Sequence, residues 1–156
     1  MHRSRHLRVK GEAGFTIFEV LVVALIISVL AAIGSPSIST TLNAHRLTAG
    51  LRASVGAIRT ARSAAITRNV SARVTVSADG TTLSVEANRP SGWTVVGVPV
   101  VLEGGVSITT VAPANGLLFL GQGTVSGLAT VTVTLQNARG DTRQIQVSPL
   151  GGVDLV

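Results

Sequence analysis

One apolar segment near the start of the chain constrains the fold more than any other feature. Residues 15–33 are a run of 19 residues with a single charged side chain, that of Glu19. As a helix this run would be about 28 Å long, close to the ~30 Å of a membrane's hydrocarbon core. A carboxyl group costs about 3 kcal/mol at the centre of a membrane helix and somewhat less near its end. We therefore expect a membrane-spanning helix in which Glu19 has a function.

The residues before this run set its predicted orientation. Residues 1–14 carry four basic side chains and one acidic side chain, that of Glu12. Because basic residues beside a span stay in the cytoplasm, the C-terminal part of the chain is predicted to lie on the side of the membrane away from the cytoplasm. A secretory signal peptide and a plain membrane anchor are simpler interpretations. A signal peptide has an apolar core of only about 7–15 residues, and a plain anchor does not account for Gly14-Phe15 ahead of Glu19.

The string Gly14-Phe15-Thr16-Ile17-Phe18-Glu19-Val20 resembles the processing site of type IV prepilins and type II secretion pseudopilins. The family pattern is a glycine before the cleaved bond, an N-methylated phenylalanine after it and a glutamate at the fifth mature position. Gly14, Phe15 and Glu19 match this pattern. Pro36 falls at mature position 22, where many family members also have a proline. The resemblance implies cleavage after Gly14, methylation of Phe15 and assembly through Glu19.

The resemblance also implies a location and a set of partners. The chain would be a single-pass protein of the bacterial inner membrane, with a cytoplasmic leader and a periplasmic C-terminal domain. Its partners would be other pseudopilins or pilins in a helical filament, a prepilin peptidase and methylase, and the inner-membrane assembly platform. In this family, the amine of the first mature residue is thought to meet the glutamate of a neighbouring subunit.

Beyond the span, the sequence keeps a helical pattern up to Asn69. Pro36 is expected to kink the helix without ending it, because proline removes a donor and crowds the preceding turn. Asn69 is the predicted end, since asparagine tolerates the left-handed conformation. Apolar residues recur on one helix face at spacings of four, four and three: Leu47, Leu51, Val55 and Ile58. This stripe predicts the seam between the helix and the globular domain.

Most polar side chains of this helical region are predicted to be exposed. His45 is interpreted as an exposed helix residue. Four arginines lie off the apolar stripe: Arg46, Arg52, Arg59 and Arg68. Arg62 lies close to the stripe, and two interpretations remain open for it. Its stem packs while its head reaches water, or it forms a salt bridge with a neighbouring subunit.

From Val70 onward, apolar residues alternate with a period of two, which indicates strands. The predicted strands are 70–76, 83–87, 94–102, 106–112, 116–120, 129–136 and 142–147. The first two form a hairpin around the turn residues 78–81, and the last two form one around 137–141. Short strands with glycine-rich turns predict an antiparallel sheet system that covers the apolar face of the helix.

The fold class is therefore α+β. With the resemblance, we expect a pilin-like fold in which a long N-terminal helix packs on an antiparallel β-sheet domain. The predicted division is a leader at 1–14, a transmembrane and assembly helix at 15–36, an amphipathic helix at 37–69 and a β-rich domain at 70–156. This layout, the Ala-rich segment 62–69 and the tail 143–152 are similar to one branch: the H-type minor pseudopilins of type II secretion and the FimT-like minor pilins.

The composition argues against catalysis and metal binding. The chain has no cysteine, and His2 and His6 lie in the leader, which leaves His45 in the mature chain. One histidine without cysteine forms neither a metal site nor a Ser-His-Asp triad. Asp141 and Asp154 are isolated acids, so a calcium site is not predicted. We predict no enzyme activity, no cofactor and no metal.

Two classes of function remain open. The first is a structural minor pseudopilin of type II secretion, and the second is a FimT-like minor pilin in pilus biogenesis or DNA uptake. DNA-binding members of the FimT-like group carry a basic Gly-Arg-x-Arg tail, whereas residues 151–154 here are Gly-Gly-Val-Asp. Arg139 and Arg143 remain as candidates for phosphate contact, and both flank Asp141. We predict the structural role and no nucleic-acid binding.

Overall fold

This computed structural model describes residues 14–112 and 116–156 of the chain. These residues include one long helix and nine strands. For residues 33–38 and Ala112 the structure describes the backbone alone. The chain divides into two compact units, residues 1–39 and 40–156. The first unit contributes the start of the helix, and the second contains the rest of the helix and every described strand.

Helix α1 extends over Ile17–Arg68, and its two ends have identifiable caps. At the start, the backbone N–H of Glu19 donates to Thr16 Oγ1 at 3.2 Å. At the end, Asn69 has a φ of 50°. The N–H groups of Asn69 and Val70 donate to Ile66 O and Ala65 O, both at 3.2 Å. This pair of bonds is a Schellman motif, so the predicted end of the helix at Asn69 is confirmed.

The structure tests neither the predicted membrane span nor the predicted kink. Among residues 14–112 and 116–156, no helix is both long and apolar enough to cross a membrane. The span predicted at 15–36 therefore stays a prediction of the sequence. Pro36 lies within the bounds of α1, but the kink predicted there falls among residues whose side chains lie outside the described part.

The first antiparallel sheet has the strand order β3-β2-β1-β6, with β4 also paired to β2. Its strands are β1 Ala72–Val76, β2 Thr82–Arg89, β3 Gly92–Val95, β4 Val100–Val101 and β6 Leu117–Phe119. The predicted first hairpin is confirmed by the pairing of β1 with β2. The single strand predicted at 94–102 is wrong, because it divides into β3 and β4. Gly97, at a φ of 80°, breaks it, and Pro99 lacks a backbone donor.

The second antiparallel sheet has the order β5-β7-β8-β9. Its strands are β5 Ser107–Ala112, β7 Val131–Gln136, β8 Thr142–Val147 and β9 Val153–Leu155. The predicted second hairpin is confirmed, and Asn137 organises its turn. The Oδ1 atom of Asn137 accepts the N–H groups of Arg139 and Asp141, each at 3.0 Å. Strand β9 was not predicted, because three residues after a glycine pair show no periodicity.

One hydrophobic core joins the helix to both sheets within the second unit. The predicted stripe is confirmed, since Leu47, Leu51 and Ile58 are buried and Val55 packs against the core. From the sheets, the largest fully buried side chains are Phe119, Leu83, Leu135 and Ile145. Four alanines of the helix are also buried in this core, and their small size lets the strands approach the helix closely: Ala57, Ala61, Ala64 and Ala65.

Candidate assembly site

The residues of the predicted processing and assembly site lie together at the start of α1. Gly14 and Phe15 precede the helix, and Glu19 lies in its first turn. All three are exposed, and Phe15 has 79% of its surface accessible. The first turn places the Glu19 carboxylate at the positive end of the helix dipole. The site is therefore accessible to an enzyme and to a neighbouring subunit.

Thr16 has a role that was not predicted from the sequence. Its hydroxyl oxygen caps α1 by accepting the N–H of Glu19. The spacing Thr16-x-x-Glu19 is the signature of a capping box, which could have been found from the sequence. A hydrogen bond from the Glu19 side chain back to the Thr16 N–H, the second bond of a capping box, is a second explanation for glutamate at this position. Glutamine keeps the capping geometry but not the charge, so the two explanations can be separated.

Nothing in the described part of the fold requires glycine at position 14. A Cβ atom built on Gly14 meets no heavy atom within 4 Å among the described residues, and its backbone is not in the left-handed region. A side chain at this position would therefore clash with none of the described residues. Because the described part of the chain gives no reason for glycine at this position, we infer that another molecule requires it.

Large apolar side chains on both sides of Glu19 in the sequence are exposed around the whole circumference of the helix. Between residues 15 and 30, twelve of them each expose at least 38% of their surface. A helix that is apolar on every side is stable only when something buries it. Exposed apolar surfaces of this extent mark contacts with lipid or protein. The first unit therefore needs an environment that its own chain does not supply.

Arg62 binds two backbone carbonyl groups of its own chain. Its Nε donates to Gly123 O at 3.1 Å, and its Nη2 donates to Leu150 O at 2.9 Å. Both open interpretations of Arg62 missed this contact, which holds the C-terminal segment against α1. No local pattern shows it, because the two carbonyl groups lie 61 and 88 residues further along the chain.

The two arginines proposed for phosphate contact lie on the hairpin of β7 and β8. Arg139 is in the turn and Arg143 is on β8, where it pairs with Leu135 across the sheet. Both are exposed. Asp141 lies between them in sequence and accepts a hydrogen bond from Asn137 Nδ2 at 2.8 Å. The acid next to both cations weakens their attraction for a phosphate, and their DNA contact stays a prediction.

The described residues include neither a metal site nor a reactive histidine. Within residues 14–112 and 116–156, no three His, Asp or Glu side chains are grouped to hold a metal ion. His45 is exposed on α1, as predicted.

Comparison with known proteins identifies the family. The family model described as "Type II transport protein GspH" matches residues 51–151, more than half of the chain. The model described as "Prokaryotic N-terminal methylation motif" matches residues 9–35. The chain belongs to the GspH family. A search of curated proteins gives no significant match.

Solved structures of two minor subunits share the fold. The type IV minor pilin FimU of Pseudomonas aeruginosa PAO1 is 18% identical with a TM-score of 0.60, covering 72% of this chain and 89% of that one. The minor pseudopilin EpsH from the type 2 secretion system of Vibrio cholerae is 16% identical with a TM-score of 0.53, covering 68% and 94%. These likenesses confirm the predicted pilin-like α+β fold.

The family match and the fold together place the chain in the predicted branch. It is a minor pseudopilin or minor pilin of type II secretion or a type IV pilus. Such proteins are structural subunits rather than enzymes, and they assemble into filaments with other pilin subunits.

Proposed function

We propose that this GspH-family chain is a minor pseudopilin in the pseudopilus of type II secretion. The observation that carries the proposal is the match of residues 51–151 to the type II transport family. That match covers most of the β-rich domain, whereas the N-terminal motif at 9–35 names no particular filament. FimU and EpsH are both below 20% identity, so they support the fold and leave the choice of filament to the family match.

Processing is the first step of the proposed function. A prepilin peptidase cleaves the bond between Gly14 and Phe15, and the new amine of Phe15 is methylated. The methylation motif at 9–35 supports this step. The exposure of Gly14 and Phe15 and the open space around Gly14 support it as well, because they leave the bond accessible.

Membrane storage and assembly follow processing. Residues 15–36 anchor the chain in the inner membrane, with the β-rich domain on the periplasmic side. During assembly at the inner-membrane platform, the Phe15 amine of one subunit pairs with Glu19 of a neighbour. Charge pairing is strong in a low-dielectric setting, so it favours the correct axial register. The exposed apolar side chains of residues 15–30 are then buried against neighbouring helices.

The alternative is a FimT-like minor pilin in pilus biogenesis or DNA uptake. The fold that this chain shares with the minor pilin FimU is as consistent with this alternative as with the pseudopilin role. The tail argues against DNA capture, because Gly151 is buried and residues 151–154 carry an acid and no base. Nucleic-acid affinity needs clustered cations.

The processing step has a direct test. We expect mass spectrometry of membrane-extracted protein to show a mature chain that begins with N-methylated Phe15. Gly14→Val should leave the leader attached, because a branched side chain at the cleaved bond obstructs the peptidase. Gly11→Val, the same change three residues upstream, is the matched control and should be processed normally. A wild-type chain that keeps Met1, or that begins at Ser35, would show that this is not a prepilin.

The choice between the filaments needs a phenotype. In a strain that lacks this chain, we expect the export of type II substrates into the medium to fall while pilus-dependent motility and DNA uptake are unchanged. The reverse pattern would establish the minor pilin role in place of the pseudopilin role.

A further inference from the structure

The part of α1 in the second unit carries a strong imbalance of charge. From residue 40 to its end at Arg68, the helix has five arginines and no aspartate or glutamate. Within the described residues, none of these five forms an ion pair, and the ion pair that is present joins Arg73 to Glu86 on the first sheet. Cations without acidic partners attract an anionic partner.

Three side chains near the end of the helix form what we name the basic ridge: Arg59, Ser63 and Thr67. Successive spacings of four residues place them on one helix face, and all three are exposed. A hollow of about 440 Å³ lies on one side of the ridge and one of about 430 Å³ on the other. The first is also lined by Arg62, Ile66 and residues 151–153. The second is also lined by Thr60, Ala64, Arg68 and Val96.

Each hollow combines the groups that bind a carboxylate. Two arginines and the hydroxyl groups of Ser63 and Thr67 line each one, and no acidic side chain does. Arginine binds carboxylates through two parallel N–H···O bonds, and hydroxyl groups add single donors. The apolar members of the walls give a partner's aliphatic stem a surface to pack against.

The wall of the first hollow is fixed by the fold. Arg62 uses two of its five N–H donors on Gly123 O and Leu150 O, which leaves donors for an anion. Gly151 lies so close that a Cβ atom there would be 2.6 Å from Arg62 Nε. A guanidinium group held in this way loses little conformational entropy when it binds.

We propose that the basic ridge and its two hollows bind carboxylate side chains on an acidic subunit of the same filament, a subunit different from this chain. The proposal rests on the proposed role as a filament subunit. Electrostatic complementarity of this kind selects the partner and fixes its register more than it adds affinity.

A second copy of this chain does not fit the ridge. Residues 40–156 hold nine arginines and five acids, a formal charge of +4, so two copies repel each other. Three of the five acids are already engaged: Glu86 pairs with Arg73, and Asp79 accepts hydrogen bonds from Ser77 and Thr81. Asp141 accepts a hydrogen bond from Asn137. The complementary surface therefore belongs to another subunit.

Nucleic acid fits the ridge less well than an acidic protein. Single strands bind to aromatic side chains on which bases stack, and no aromatic residue lines either hollow. Trp93 lies on the first sheet, where the guanidinium carbon of Arg73 covers its ring at 4.2 Å from the centroid. Apolar walls between the arginines suit side chains better than a sugar–phosphate backbone.

Site-specific crosslinking in intact cells tests the proposal. The photoreactive residue p-benzoylphenylalanine replaces Thr60, which is exposed at the second hollow but outside the ridge. We expect an adduct with another subunit that carries the N-terminal methylation motif, attached at a segment rich in Asp and Glu. Arg59→Glu should lower the adduct yield about tenfold, because reversal of a contact charge replaces attraction by repulsion. Arg59→Lys should restore most of the yield.

Two controls separate the ridge from general effects. Arg89→Glu makes the same change of charge at an exposed residue on β2 and should leave the yield unchanged. The photoreactive residue at Val22 reports on assembly through the apolar segment. Adducts at Val22 with none at Thr60 would overturn the ridge proposal and leave the filament role intact. Adducts at neither position would overturn both.

Other outcomes also overturn the proposal. They are an adduct with a second copy of this chain, an adduct with nucleic acid, and a yield at Thr60 that Arg59→Glu does not lower.

Discussion

The two units of this chain place their apolar side chains in opposite environments. In the first unit, the large apolar side chains of residues 15–30 are exposed, and Phe15 and Ile17 expose 79% and 82% of their surface. In the second unit, apolar side chains of the helix and both sheets form one buried core. The sequence of the first unit is therefore constrained by other molecules, whereas that of the second is constrained by its own fold.

Two glycines show the same difference. Gly14 has open space around it, so a side chain there would meet no described atom. Gly151 has a φ of +79°, and a Cβ atom there would lie 2.5 Å from Gly123 O. The second glycine is explained by close packing inside the domain, whereas the first is explained by the cleavage that we propose.

Separation of the two units has the largest expected effect. A chain shortened to residues 40–156 should be soluble and monomeric, because it loses the exposed apolar side chains and keeps the whole core. Circular dichroism should show helix and strand together, and gel filtration should give the mass of one chain. The full chain, prepared in parallel, should require detergent. An aggregated or unfolded product would mean that the second unit depends on the first.

Substitution of Glu19 should abolish assembly without affecting the stability of the second unit. Glu19→Ala leaves the neighbour's Phe15 amine buried without a partner, which costs about 3–5 kcal/mol. Membrane insertion should become easier by about 2–3 kcal/mol, because the segment loses a carboxylate. Leader cleavage should continue, since the Gly14-Phe15 bond is unchanged. Co-purification with other filament subunits measures incorporation.

Glu19→Gln distinguishes the two roles of this residue. Glutamine can accept the Thr16 N–H as glutamate does in a capping box, but it carries no charge. If the charge directs assembly, Glu19→Gln should be incorporated into the filament nearly as poorly as Glu19→Ala. If Gln is incorporated normally and Ala is not, capping explains Glu19. Normal incorporation of Glu19→Ala would rule out the pairing mechanism.

Features that depend on neighbouring residues were predictable from the sequence. The apolar stripe, the helix end at Asn69 and both hairpins follow from periodicity and turn chemistry within a few residues. Gly14, Phe15 and Glu19 also form one short motif, and their roles in cleavage, methylation and assembly stay predictions. The hydrogen bonds from Arg62 to Gly123 O and Leu150 O were not predictable, because these carbonyl groups lie far along the chain. The hollows beside the basic ridge were missed for the same reason, since the tail forms part of one wall.

A pair of glycine substitutions tests how tightly the second unit constrains its own sequence. Gly97 and Gly151 have nearly equal φ angles of +80° and +79°, but only Gly151 is crowded. Gly97→Ala should cost about 1–2 kcal/mol, the price of a left-handed alanine. Gly151→Ala should cost roughly 1–3 kcal/mol more, because its Cβ atom overlaps a backbone oxygen. Urea unfolding of residues 40–156 measures both, and equal costs would contradict the close packing of the tail.

The smallest expected effect concerns Asp79, in the turn between β1 and β2. Its carboxylate accepts hydrogen bonds from the hydroxyl group of Ser77, from Thr81 Oγ1 at 2.7 Å and from the N–H of Thr81 at 3.2 Å. These bonds, led by that from Ser77, lower the pKa of Asp79 from 3.8 to about 2. A lowered pKa means that the folded state favours the ionised form. This contribution to stability is therefore present above about pH 4 and is lost as the pH falls towards 2.

Asp79→Asn should therefore be less stable than the wild type at neutral pH, and the difference should shrink between pH 4 and pH 2. The site is fully exposed, so the effect should be small and should weaken with added salt. Urea midpoints of residues 40–156 at pH 7, 4 and 2.5 measure it. Ser77→Ala removes the main donor and should reproduce part of the same pH dependence. A difference between wild type and Asp79→Asn that stays constant down to pH 2.5 would show that the turn is held by its backbone hydrogen bonds alone.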